Sequence, residues 1–160
     1  MIPPFLQERT EPVTVDTRRL SVPGTDDGVR TALDAVAALW AEHALSRAVT
    51  WPVDVSLDEV LANVVHHALA GRGGEASVEI VVSLDTNVAP ASCELVVSDD
   101  GPAFDPLAAE APDTTLGVEE RPIGGLGIAL ARRLMNDVSY VRRDGRNHLR
   151  LQRRLVPMEA

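Results

Sequence analysis

The strongest constraint on the fold is a run of apolar residues that recurs every three or four positions near the middle of the chain. Its members are Leu57, Val60, Leu61, Val64, Val65, Ala68 and Leu69. This spacing places them on one side of a helix, which must pack that side against another element. Ser56 and Glu59 form a capping-box pattern, so the helix is predicted to run from Ser56 to about Ala70.

Two segments after this helix alternate between apolar and polar residues, as half-buried strands do. In the first, the apolar row is Val78, Ile80, Val82 and Leu84, and in the second it is Cys93, Leu95, Val97 and Asp99. A carboxylate therefore ends a row that otherwise points into the core, where it needs a partner. The single cysteine, Cys93, cannot form an internal disulfide and is interpreted as a small buried apolar residue.

The other segments complete a series of strands and helices. A first strand is predicted at Thr14–Val22, followed by a helix that Thr25 caps and that ends near Leu45. A third helix is predicted at Leu126–Met135, and two last strands form a hairpin across Asp144-Gly145-Arg146-Asn147. These last strands are Val138–Arg142 and His148–Leu155. The order predicts an α+β fold, a two-layer sandwich with helices on one face of a mixed, mostly antiparallel β-sheet.

A chain of 160 residues fits one domain. Residues 1–12 are predicted to form a flexible N-terminal arm and residues 13–156 the domain itself. Residues 102–123 are rich in proline and have no sustained period, which is typical of a functional loop, and they are predicted to be a lid. No apolar run approaches the roughly 20 residues of a membrane span, and no secretory signal is recognisable. A cytoplasmic location without membrane contact is expected.

Charge is unevenly distributed along the chain. Residues 1–121 contain 7 Arg and 21 acidic residues, whereas residues 122–160 contain 8 Arg and 3 acidic residues. A net charge of −9 disfavours direct nucleic-acid binding, so the Arg-rich end is interpreted as a solvated strand surface or a partner contact. The sequence contains no Lys. This excludes a Walker A loop and a eukaryotic-type protein kinase site, because both require Lys.

Two groups of polar residues are candidates for ligand binding. Glu59 and Asn63 are four residues apart and share one side of the predicted helix, although a solvated helix face explains them equally well. Asp99 is interpreted as an acceptor for an exocyclic amine such as that of adenine, with Gly101 allowing close approach of the base. An ordinary strand end followed by a turn is the alternative explanation for Ser98-Asp99-Asp100-Gly101.

A glycine-rich stretch, Gly124-Gly125-Leu126-Gly127, precedes the third helix. Its free backbone N–H groups and the positive end of the helix dipole favour an anion, although a simple tight turn is the alternative. The stretch lacks the Gly-x-Gly-x-x-Gly pattern of dinucleotide-binding folds. His66 and His67 point about 100° apart on a helix, which makes them a poor metal pair. His67 either borders the cleft or is a hydrogen-bonded structural histidine.

In their order along the chain, these motifs resemble those of the GHKL (Bergerat-fold) ATPase superfamily. Leu57–Ala68 resembles the N-box helix, Val97–Pro106 the adenine-contacting box, and Gly124–Ala129 the glycine box. The terminal hairpin is similar to that of the compact branch containing bacterial anti-sigma factors that are serine kinases. One departure is Ala103, which replaces the second glycine of the usual Asp-x-Gly-x-Gly. If that position needs a positive φ, alanine costs on the order of 1 kcal/mol.

The resemblance implies a role for each motif. Asn63 would bind Mg²⁺ bridging the phosphates of ATP, and Glu59 would be the general base. Asp99 and Gly101 would contact adenine. The phosphate oxygens would be wrapped by Gly124, Gly125, Leu126 and Gly127. The implied cofactors are ATP and Mg²⁺, and Arg121 is a candidate for additional positive charge from the lid.

The same resemblance implies an activity and partners. The chain would be an anti-sigma factor and protein serine/threonine kinase that holds a sigma factor, phosphorylates a small STAS-type antagonist and forms a homodimer. The alternative function is a non-catalytic ATP-binding interaction module in a phosphatase-linked switch. A third alternative is an α+β domain whose motifs are accidental.

Overall fold

A computed structural model describes residues 15–72, 75–108 and 125–159. The predicted arm at residues 1–12, Arg121, Gly124 and residues 109–123 of the predicted lid lie outside these ranges. The elements in chain order are β1 (Val15–Pro23), α1 (Asp26–Glu42), α2 (Arg47–Asn63), a π-helical segment (Val64–Ala68), β2 (Ser77–Asp85), β3 (Ser92–Asp99), α3 (Leu126–Leu134), β4 (Asp137–Arg143) and β5 (Arg146–Arg154). Within the described ranges, no helix has both the length and the hydrophobicity needed to cross a bilayer.

The five strands form one sheet in the order β1-β2-β3-β5-β4. Each pairing between the described strands is antiparallel, including that between β3 and β5. The sheet was predicted to be mixed, but the described strands contain no parallel pair. The predicted two-layer α+β fold is confirmed, with the apolar stripes of the helices packed on one face of the sheet.

The core forms where the apolar rows of the strands meet the apolar stripe of α2. The row of β2 is at most 1% exposed, and it comprises Val78, Ile80, Val82 and Leu84. From α2 and the π segment, the buried apolar side chains include Leu57, Val60, Leu61 and Val64. Fully burying such a side chain contributes roughly 1.5–3 kcal/mol. Cys93 is buried in the same core, and burial raises the pKa of its thiol to about 12.

The second helix begins at Arg47, not near Ser56. Ser56 lies fully buried inside the helix, and its hydroxyl donates to the Pro52 carbonyl oxygen at 2.6 Å. Pro52 removes one backbone N–H donor without ending the helix, because the residues that follow it are held in the core. The capping-box prediction for Ser56 and Glu59 is therefore wrong, and Glu59 lies in the helix interior.

The turn between β4 and β5 is shorter than predicted. Only Asp144 and Gly145 form it, with φ values of 51° and 72°, as in a type I′ turn. Arg146 and Asn147 belong instead to β5, where Asn147 is opposite Asp99 of β3 and is buried. The favourable twist of the two-residue turn allows the strands to pair up to its edge, and this brings Asn147 into the interior.

Both ends of α1 are closed by local hydrogen bonds. At the start, the Gly28 N–H donates to Thr25 Oγ1 at 3.1 Å, so Thr25 caps the helix as predicted. At the end, the Leu45 N–H donates to the Trp40 carbonyl oxygen at 2.9 Å across Ala44, which has a φ of 52°. Glycine is usual at this left-handed position, because a Cβ there is strained.

We expect Ala44→Gly to raise the free energy of unfolding by roughly 0.5–1 kcal/mol, because it relieves this strain at an exposed position. The matched control is Ala38→Gly, an exposed site within α1, which should lower stability by about 0.5–1 kcal/mol. Urea unfolding of the three proteins measures both changes. Equal destabilisation by the two substitutions would show that residue 44 is not strained.

Candidate functional site

Two pockets adjoin between α2 and the elements that face it, and Asn63 lines both. The inner pocket is lined by Val60, Asn63, Val64, Ala68, Val97, Asp99, Phe104, Pro106, Tyr140, Asn147 and Leu149. The outer cleft is lined by Glu59, Ala62, Asn63, His66, His67, Gly127 and Ile128. A largely apolar pocket with an acid at its wall thus opens next to a polar cleft.

The helix that carries Glu59 and Asn63 changes to π geometry directly after Asn63. The Leu69 N–H donates to the Val64 carbonyl oxygen, five residues earlier, at 2.9 Å. Short π segments are rare and frequently occur at functional sites. The prediction of a regular helix to about Ala70 did not include this change, because hydrophobic spacing does not distinguish the two geometries over one turn.

The π segment lies close to the loop that follows β3. A Cβ on Gly101 would be 2.7 Å from the Ala68 carbonyl oxygen and 2.8 Å from Asp99 Oδ1. Glycine is required at residue 101 by this close approach of two backbones. The contact brings the end of β3 next to the helix that carries Asn63, so Asn63 and Asp99 line one pocket although they belong to different layers.

Asp99 is 3% exposed at the end of the inward row of β3, as predicted. The Gly101 N–H donates to its Oδ1 at 2.9 Å, and Asn147 Nδ2 donates to the same oxygen at 3.0 Å. Both hydrogen bonds that Asp99 accepts from the described residues therefore go to the same carboxylate oxygen. Among the described residues, none donates a hydrogen bond to the other oxygen, Oδ2.

The loop after β3 is held from two sides. Arg72 forms an ion pair with Asp100 at 2.9 Å, and this guanidinium holds the pKa of the Asp100 carboxyl below its usual value. From the hairpin, Arg142 Nη1 donates to the Gly101 carbonyl oxygen at 2.8 Å. Ala103 is not among the non-glycine residues with positive φ, so alanine carries no left-handed strain at that position of the motif.

The glycine-rich stretch meets Glu59 at the outer cleft. Helix α3 begins at Leu126, with Gly125 at its N-cap, so Gly127 lies in the first turn rather than before the helix. A Cβ on Gly127 would overlap Glu59 Oε2 and lie 3.2 Å from Glu59 Cβ. The absence of a side chain on Gly127 therefore allows the first turn of α3 to pack directly on Glu59. Leu126 is 47% exposed and lines neither pocket.

The two histidines border the outer cleft and are exposed. His66 Nε2 lies 2.7 Å from Asp26 Oδ1 at the start of α1, so His66 connects the π segment to a neighbouring helix. His67 borders the outer cleft, which is the first of its two predicted locations. In the part of the chain that the structure describes, no three His, Cys, Asp or Glu side chains cluster as a metal site.

Phe104 lies in the segment Val97–Pro106 that resembles the adenine-contacting box, but Tyr140 and Asn147 of the inner pocket were not predicted from the sequence. Asn147 is the most important of them, because it bonds directly to Asp99. Its location was predictable in principle: a two-residue turn at Asp144-Gly145 places residues 147, 149 and 151 on one face of β5. Nothing comparable marks Tyr140, which lines the pocket only because the hairpin packs beside it.

Comparisons with known proteins agree with the fold. Residues 22–153 match the family described as the histidine kinase-like ATPase domain. The chain is 33% identical over 147 residues to the serine/threonine-protein kinase BtrW of Bordetella bronchiseptica, covering 89% of this chain and 95% of BtrW.

A solved structure is similar in fold. It contains the RsbU and RsbW domains of Rv1364c from Mycobacterium tuberculosis, and it matches with a TM-score of 0.61 and 16% sequence identity. The similarity covers 88% of this chain but only 32% of that chain, so the present chain spans about a third of its length. Both the family match and the identity with BtrW extend over most of the sequence, and the chain therefore belongs to the histidine kinase-like (GHKL) ATPase family.

Proposed function

We propose that this protein binds Mg-ATP across the two pockets and is an anti-sigma factor that phosphorylates a serine of a small STAS-type antagonist. The observation that carries the proposal is that Asn63 lines both the inner pocket and the outer cleft. One ligand that extends past Asn63 would place one end beside Asp99 and the other beside Glu59 and Gly127. ATP has this division between a flat base and a charged triphosphate.

The inner pocket suits the base. Most of its lining is apolar, with Val60, Val97 and Leu149 among the contributing side chains. Asp99 supplies an acceptor on its wall, and an adenine amino group is a donor of matching character. Binding sites of this kind are typically apolar with a few polar groups that fix the orientation of the ligand.

The outer cleft suits the phosphates and a metal ion. The first turn of α3 presents backbone N–H groups and the positive end of a helix dipole, which favour an anion. Mg²⁺ that accompanies a nucleotide needs only one or two protein oxygens besides phosphate and water, so the amide oxygen of Asn63 fits this requirement. When bound, Mg²⁺ neutralises part of the phosphate charge, which in this protein cannot be done by Lys.

The transfer step follows from the position of Glu59 in the same cleft. The serine oxygen of the antagonist forms a bond to the γ-phosphorus, and the bond from that phosphorus to the β–γ bridging oxygen breaks. ADP leaves with the electron pair, and the proton of the serine hydroxyl moves to the Glu59 carboxylate. A positioned general base typically contributes about 10²- to 10⁴-fold to the rate.

The assignment of partners rests on the relatives. BtrW is named a serine/threonine-protein kinase and shares 33% identity over nearly its full length. The similarity to the chain with an RsbW domain supports the same fold. From these relatives we extend the proposal to a sigma factor and a STAS-type antagonist as partners, to a homodimeric state and to a cytoplasmic location. Because the proposed switch requires the protein to hold alternative partners, antagonist phosphorylation would determine which partner is bound.

Substitutions at Glu59 and Asn63 separate catalysis from nucleotide binding. Glu59→Gln should lower phosphoryl transfer by roughly 10²- to 10⁴-fold with little change in ATP affinity, because it removes the proton acceptor while preserving shape. Asn63→Ala should weaken Mg-ATP binding itself by at least about tenfold, or about 1.4 kcal/mol. Calorimetry measures binding, and phosphoserine formation on purified STAS-type antagonists measures transfer.

The matched control is Asp58→Asn, since Asp58 is an exposed carboxylate beside Glu59 that lines neither pocket. It should leave both quantities unchanged. Tight Mg-ATP binding without phosphoserine on any antagonist would overturn the kinase proposal and leave a non-catalytic nucleotide-binding module. Absence of Mg-ATP binding by the wild-type protein would overturn the proposal as a whole.

The contact between Gly127 and Glu59 allows a second test. In Gly127→Ala the new Cβ would overlap the Glu59 carboxylate and force it to move, so transfer should fall at least about tenfold, equivalent to about 1.4 kcal/mol in the activation barrier. Alanine is a better helix former than glycine by roughly 0.5–1 kcal/mol, so a loss of helix stability is not the cause of this decrease.

Thermal unfolding and antagonist phosphorylation are measured for both single variants and for the double variant with Glu59→Gln. The double variant should be little worse than Glu59→Gln alone, because both changes act on one group. A wild-type transfer rate for Gly127→Ala would show that this contact does not position Glu59.

A further inference from the structure

We propose that Asn147 is a positioning residue for nucleobase recognition: it orients the Asp99 carboxylate toward the amino group of the base and ties that carboxylate to the rim of the inner pocket. The inference rests on the proposed binding of ATP, but it concerns a residue for which the sequence predicted no role in binding. It is carried by the hydrogen bonds that one side-chain amide makes in the described part of the chain.

The Asn147 amide uses its full hydrogen-bonding capacity. Its Nδ2 donates to Asp99 Oδ1 at 3.0 Å and to the Pro102 carbonyl oxygen at 2.9 Å. Its Oδ1 accepts from the Tyr140 hydroxyl at 2.7 Å and from the Phe104 N–H at 3.2 Å. An amide has two N–H donors and two lone pairs, and all four are used by a side chain that is 5% exposed.

This network permits one orientation of the amide. If the amide were rotated by 180°, its oxygen would face Asp99 Oδ1 and the Pro102 carbonyl oxygen, which are both acceptors. The NH₂ group would then face the Phe104 N–H, which is a donor. Unsatisfied groups at a buried site cost about 1–3 kcal/mol each, so the observed orientation is strongly preferred. The Asn147 N–H group that donates to Asp99 Oδ1 is therefore held firmly in place.

The consequence for Asp99 is that one carboxylate oxygen is reserved. Gly101 and Asn147 both donate to Oδ1, so a partial rotation of the carboxyl plane would break both bonds, and a rotation by 180° only exchanges two equivalent oxygens. Oδ2 is thereby kept as the acceptor for a ligand. A buried acceptor in a fixed position discriminates strongly between a ligand with a matching donor and one that lacks it, because the acceptor would be left without a partner.

The same amide connects this acceptor to the rim of the pocket. Pro102 and Phe104 belong to the loop after β3, and Phe104 and Tyr140 both line the inner pocket. Removing the amide frees the Asp99 carboxylate and the loop backbone together. The loss of affinity should therefore be larger for a ligand that donates a hydrogen bond to Asp99 than for one that does not. A general loss of packing would weaken both ligands equally.

The test compares two nucleotides that differ only in the group that Asp99 is proposed to recognise. ATP and purine riboside 5′-triphosphate, which lacks the 6-amino group, are titrated with Mg²⁺ into the full chain by calorimetry. The wild-type protein should prefer ATP by about tenfold or more. Asn147→Ala should lower the affinity for ATP by about tenfold and leave that for the analogue within about threefold, so that the preference is largely lost.

Tyr140→Phe provides a second variant if Asn147→Ala does not fold. It keeps the aromatic ring in the pocket and the donor to Asp99 but removes one bond to Asn147 Oδ1. We expect a smaller loss of preference, about threefold, because a single neutral hydrogen bond is removed. Thermal unfolding without nucleotide establishes that each variant is folded.

The outcomes are distinct. Selective loss of ATP affinity in the variants supports the inference. Equal weakening of both nucleotides, or an unchanged preference in both folded variants, would show that Asn147 only supports the structure. Equal affinity of the wild-type protein for the two nucleotides would show that the amino group is not recognised, while ATP binding would stand. If the wild-type protein binds neither nucleotide, the proposed function itself fails.

Discussion

The packing of α2 against the inner face of the sheet is the interaction on which the rest of the structure depends. Leu57, Val60 and Leu61 are at most 1% exposed, and they belong to the same core as the buried rows of the strands. This contact determines where the opposite side of α2 lies, because a helix that buries one stripe must present Glu59 and Asn63 elsewhere. The two polar residues consequently face α3 and the loop after β3, where both pockets form.

Buried polar residues lie at both ends of the inward-facing row of β5, and they make different contacts at each end. At one end, Asp99 and Asn147 lie opposite each other and build the wall of the inner pocket. At the other end of β5, the buried Arg153 donates to the Leu134 carbonyl oxygen at the last residue of α3. The cost of burying Asp99 and Asn147 is offset by their hydrogen bonds. The same apolar rows thus support the inner pocket at one end of the strands and anchor a helix at the other end.

Much of this architecture was predictable from the sequence. The alternation in β2 and β3 and the stripe of α2 identified the core, and the inward location of Asp99 followed from its row. The predicted start of α2 was wrong because Pro52 and the buried Ser56 both lie inside the helix. The Ser56 hydroxyl bonds to the Pro52 carbonyl oxygen there, which residue type alone does not indicate. The π segment was missed because hydrophobic spacing does not distinguish π from α geometry over one turn.

The sequence by itself determined the fold class, the buried rows and the motifs that place the chain in the GHKL family, because periodicity and residue chemistry are local properties. Only the tertiary structure decided that Asn63 lies at the junction of two pockets, that Gly127 packs on Glu59 and that Asn147 bonds to Asp99. Each of these contacts joins residues far apart in the chain. They arise when helices and strands pack at close range, and no local pattern specifies the partner across that distance.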